Sequence, residues 1–137
     1  VRVAGNIVTP AQPGSIEFAA EKFGSRLVVV LGHTMCGAIR ATMDELANPA
    51  PSRQENLHSI VDSISPGLEP LLKASPPPSE DNLLREAVRE NVRHSVQQLQ
   101  QQSPILRKQI NAQGLEVVGA EYCVSSGVVD FLAPAAN

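Results

Sequence analysis

Leu27-Val28-Val29-Val30-Leu31-Gly32-His33-Thr34-Met35-Cys36-Gly37-Ala38 is the stretch on which the fold turns. Its first five residues are continuous, apolar and mostly β-branched, the pattern of a strand buried on both faces of a parallel sheet. Ile39, Met43 and Leu46 follow at helical spacing in a helix from Gly37 through Leu46, so strand, loop 33–36 and helix form one βα unit. Upstream, Val1–Val3 is strand-like, Gly5-Asn6 makes a turn before Ile7-Val8, and Pro10–Gly14 makes another. Ser15 is then expected to cap a helix with Ile16, Ala19, Ala20 and Phe23 on one face, and Gly24 to end it.

Downstream, the proline-rich stretches Asn48–Ser52 and Ser75–Ser79 read as loops around a short helix carrying Leu57, Ile60, Val61 and Ile64. Asp81 is expected to cap a long helix with Leu84, Val88, Val92, Val96 and Leu99 inward and Arg85, Glu86, Arg89, Glu90 and Arg93 on the outer arc. Ser103-Pro104 opens a further helix that Gly114 closes, Leu115–Tyr122 reads as a second buried strand, and Val128–Leu132 as a hairpin-linked last strand. The fold class is therefore α/β: a mainly parallel sheet with an antiparallel edge strand, flanked by helices, in a single domain over residues 1–137.

Composition narrows the function. The 137 residues are 42 % hydrophobic and 18 % charged, enough apolar surface for one core. Lys and Arg number 11 against 14 for Asp and Glu, and aromatic residues make up 3 %. A chain of net charge −3 has no basic face for a phosphate backbone and few rings for stacking on bases, so nucleic acid is not an expected partner. The longest apolar run is far short of the roughly 20 residues of a membrane span, so a cytoplasmic protein without a membrane partner is expected.

Chemistry concentrates at His33-x-x-Cys36, because ligands of open α/β sheets bind at the carboxyl ends of the strands. Two intervening residues let an imidazole and a sulfur turn toward one ion, and that donor pair suits tetrahedral zinc. The competing reading makes His33 a hydrogen-bonded loop histidine and Cys36 a small buried filler. Cys123 is read as a buried strand cysteine, His58 and His94 as solvated helix histidines, and Gly5 and Gly32 as turn glycines.

Four segments taken together resemble the β-class carbonic anhydrases: Val1-Arg2-Val3-Ala4-Gly5-Asn6, Val29 to Ala38, Glu90-Asn91-Val92 with Ser103-Pro104-Ile105-Leu106, and Val118-Gly119-Ala120-Glu121-Tyr122. Cys123 stands where an Asp is usual in that family. The resemblance implies an enzyme that hydrates carbon dioxide reversibly to bicarbonate through a zinc-bound hydroxide, assembled as a homodimer or homotetramer. It assigns His33 and Cys36 as two of three Zn2+ ligands, Gly37 as a substrate-orienting backbone N–H, and Val3 and Ala4 as apolar wall. The third ligand and a catalytic Asp-Arg dyad belong to a Cys-x-Asp-x-Arg motif upstream of the segment at Val1. The expectation is thus a domain that lacks its N-terminal arm and first strand and is inactive alone; the alternative is a non-catalytic scaffold or regulatory subunit of the same fold.

Overall fold

The computed structural model describes residues 1–49, 55–76 and 79–133. Parts of both proline-rich loops, 50–54 and 77–78, lie outside these. A 3-10 turn over Ala4–Asn6 leads to α1 (Ala11–Lys22), β1 (Leu27–His33), α2 (Gly37–Ala47), α3 (Glu55–Leu72), α4 (Glu80–Gln102), α5 (Pro104–Gln113), β2 (Glu116–Tyr122) and β3 (Val129–Phe131). The strands lie in the order β1-β2-β3, with β1 and β2 parallel and β3 antiparallel to β2. Leu27 pairs with Glu116 and His33 with Tyr122, while Tyr122 also faces Val129. The expected α/β class and its antiparallel edge are therefore present.

Local signals set several boundaries as expected. Ser103 Oγ accepts from the Leu106 amide at 3.0 Å with Pro104 in the first turn of α5, and Gly114 ends that helix at φ +69. Elsewhere the boundaries shift. α1 starts at Ala11 rather than after Ser15, because Pro13 sits in the first turn, where a missing N–H costs nothing. Ser79, not Asp81, is the N-cap of α4. The short helix expected around Ile60 continues to Leu72 past Pro66 and Pro70, carried by the burial of Ile64 and Leu68. Val1–Val3 forms no strand.

One core cluster joins Val30 and Val117 of the sheet to Ala20, Val92, Leu99 and Leu106, so α1, α4 and α5 cover the same face. A second joins Cys36 and Ile39 to Ile64 and Leu68 of α3 and to Ala87 and Val88 of α4. The expectation that β1 is buried on both faces is corrected: its burial alternates, with Leu27, Val29, Leu31 and His33 outward. The pleat sends alternate residues to opposite faces, and among the described residues the helices stand on only one. Gly32 is not a turn glycine either. It lies inside β1, and a Cβ there would stand 2.5 Å from Val92 Cγ2, so its bareness lets α4 approach the sheet. No helix among the described residues is long and apolar enough to cross a membrane.

Candidate functional site

The carboxyl end of β1 runs into a loop fixed by two hydrogen bonds and one left-handed bend. The Thr34 amide donates to Tyr122 O at 2.9 Å, the Val124 amide donates to Thr34 Oγ1 at 3.0 Å, and Met35 takes the left-handed conformation at φ +57. That bend delivers Cys36 to the N-cap of α2, where its sulfur is buried while its carbonyl accepts from the Arg40 amide. His33 stays exposed, and its Nδ1 lies 3.0 Å from the Thr34 carbonyl oxygen. A carbonyl only accepts, so this contact puts the hydrogen on Nδ1 and leaves Nε2 with a free lone pair.

The opposite wall is the segment through the Ala4–Asn6 turn, which α4 holds in place. Asn91 Nδ2, fully buried, donates to Gly5 O at 2.7 Å, and Ser95 Oγ donates to Asn6 O at 3.0 Å while accepting from Asn6 Nδ2 at 3.2 Å. Gly5 at φ +65 makes the tight turn possible, which accords with its reading as a turn glycine. Between this turn and β1 lies a cleft of about 930 Å³ lined by Val3, Ala4, His33, Cys36 and Gly37, together with Tyr122 and Val124. All five site residues expected from the sequence thus line one cavity.

A metal at this point has two donors of suitable chemistry, an imidazole with its lone pair free and a cysteine sulfur on a helix N-cap. Among the described residues no group of three His, Cys, Asp or Glu side chains is placed to hold an ion. The donors fit zinc in kind and fall short of its usual number.

Two expectations are corrected here. Cys123 is not a buried strand cysteine: it follows β2, is partly exposed, and its Sγ lies 3.3 Å from Ser125 Oγ. Hydrogen bonds from Ser125 and then Ser126 lower its pKa to about 7. His94 is not a fully solvated histidine, since burial lowers its pKa and its Nε2 is buried without a partner among the described residues. His58, by contrast, sits on a helix surface with Nδ1 2.9 Å from Asp62.

Arg85 and Arg89 also leave the solvated arc assigned to them. Arg85 Nε at 3.2 Å and Arg89 Nη2 at 3.1 Å both donate to Oε2 of Glu121, which is 2 % exposed. Arg85 also reaches Asp130 on β3, so the cluster ties α4 to both strands beside the site. No role was expected of Glu121. Its signal was a lone acid inside a buried strand, which demands a cationic partner.

The sequence profile of the carbonic anhydrase family matches residues 1–129. The chain is 32 % identical over 131 residues to a carbonic anhydrase of Mycolicibacterium smegmatis, covering 95 % of itself and 60 % of that relative. It therefore spans about three fifths of the relative's length. In fold it is similar to the β-carbonic anhydrase CafA of Aspergillus fumigatus, with a TM-score of 0.84 at 24 % identity over 100 % of this chain and 64 % of that one. It is also similar to the tetrameric β-carbonic anhydrases of Sordaria macrospora, with a TM-score of 0.77 at 20 % identity over 95 % and 65 % of the two chains.

Proposed function

The chain belongs to the β-class carbonic anhydrase family, and from that membership we propose that the protein takes part in the reversible hydration of carbon dioxide to bicarbonate, with His33 and Cys36 as two donors to a zinc ion. The observation that carries this reading is the convergence of His33, Cys36, Gly37, Val3 and Ala4 on one cleft. When bound, zinc supplies the Lewis acidity that makes water a nucleophile near neutral pH. The chain's own residues do the rest. His33 is oriented by its Nδ1 bond to Thr34 O, Val3 and Ala4 offer an apolar wall to carbon dioxide, and the exposed Gly37 amide at the start of α2 orients a substrate oxygen.

Two donors leave zinc's protein shell incomplete, so the third ligand is assigned to a cysteine outside the described residues, with the Asp-Arg dyad beside it. On this reading the 137 residues alone hydrate carbon dioxide no faster than background. The alternative, a non-catalytic scaffold, is supported by the same shortage of donors. A homodimer or homotetramer in the cytoplasm completes the proposal, and the apolar outward face of β1 supports association.

Zinc analysis and stopped-flow carbon dioxide hydration on the whole expressed protein test the reading. One zinc per chain and a hydration rate, both lost in His33→Ala, are expected; zinc retained unchanged in that variant would overturn the ligand assignment. Zinc bound without hydration would favour the scaffold.

A further inference from the structure

Where α3 crosses α4, Gly67 rests on the imidazole of His94. A Cβ added to Gly67 would stand 2.9 Å from His94 Cβ, 3.0 Å from Cγ and 3.3 Å from Cδ2, so ring and α3 backbone are already in contact. His94 Nε2 is buried and has no hydrogen-bond partner among the described residues. The neutral tautomer with its hydrogen on Nδ1 presents only a lone pair there. A protonated ring places an N–H and a positive charge where the described residues offer no acceptor.

Neighbouring charges are engaged elsewhere. On α3, Asp62 bonds His58 and Glu69 bonds Lys73, and on α4 one turn before His94, Glu90 is paired with Arg93. Burial accordingly holds the His94 pKa below the ordinary imidazole value.

The same face of α3 packs behind Cys36, one of the residues that line the cleft. Ile64 and Leu68, fully buried, pack in one cluster with Cys36 and Ile39. A Cβ on Gly5 would lie 2.6 Å from Ile64 Cδ1, so α3 presses directly on the Ala4–Asn6 turn.

We propose that the His94–Gly67 contact is an acid-sensitive latch: protonation of His94 unseats α3 from α4 and, through Ile64, loosens the Gly5 turn and the Cys36 side of the cleft. The latch regulates the site of the proposed function, yet it is read without activity, so its failure is separable from failure of that reading. Its sign follows from linkage. The unseated state binds the proton more readily, so the contact is at full strength above the ordinary imidazole value of 6.5. It weakens as pH falls below that, until His94 titrates in the seated state as well.

Residue-resolved hydrogen exchange at about pH 7.5 and about pH 5.5, expressed as protection relative to the intrinsic rate at each pH, tests this. The wild-type protein loses protection in α3 and the Ala4–Asn6 turn in acid, by up to about tenfold at a pH one unit below the ordinary imidazole value, while α5 keeps its own. His94→Leu and His94→Gln, neither of which titrates, show no such loss; having both covers the case in which one does not fold. Because His58 is unchanged in both, the comparison isolates His94. Equal protection of α3 at the two pH values in wild type, an unchanged loss in a folded variant, or a loss shared by α5 would each overturn the proposal.

Discussion

On one face of β1, Val30 is 8 % exposed and Gly32 lies against Val92; on the other, Leu27, Val29 and Leu31 are 57, 39 and 47 % exposed. The residues are of one kind and the strand is one strand. What separates the faces is that α1, α4 and α5 all stand on the first. Apolar character along a strand therefore reports that both faces are suited to burial, and not that one chain segment supplies both covers.

The comparison predicts unequal mutational costs. Gly32→Ala forces a methyl into the 2.5 Å approach of Val92 and should cost about 1–3 kcal/mol in urea unfolding, because neither the strand backbone nor a β-branched side chain can yield cheaply. A cost under about 0.5 kcal/mol would mean that the β1–α4 layer is loosely packed.

Leu31→Lys on the open face should leave the unfolding of dilute protein within about 0.5 kcal/mol while shifting light-scattering mass toward smaller species. A loss above about 2 kcal/mol that does not vary with protein concentration would break the comparison and show the face to be covered from within the chain.

The smallest effect concerns the two cysteines, one in each environment. Cys36, packed between α2 and α3, should resist alkylation, whereas partly exposed Cys123 should react with an apparent pKa of about 7. Ser125→Ala should move that midpoint upward toward the ordinary thiol value, because the largest hydrogen bond to the sulfur is gone. An unchanged midpoint would assign the acidity to Ser126 and the backbone instead.

Several of these features were legible before any coordinates. The strand at Leu27, the helix from Gly37, the Ser103 cap, the Gly114 stop and the antiparallel last strand all follow from period and punctuation, which neighbouring residues set. His33 and Cys36 were legible for the same reason: the end of a strand and the start of a helix are local events. Val3, Ala4 and Gly37 came only by family resemblance, since nothing in their spacing relates them to a cleft.

Local pattern was thus enough for most of the elements, their order and the two side chains presented at the β1 edge. Tertiary structure decided which face of β1 is covered and that Gly32 serves close packing rather than a turn. It also turned Arg85 and Arg89 onto Glu121, drew α3 past Pro66 and Pro70, and set the His94 ring against Gly67. Each of these depends on what lies across from a residue in space. A helical arc or a strand period states only which way a side chain points, and the partner that meets it there is brought by a distant part of the chain.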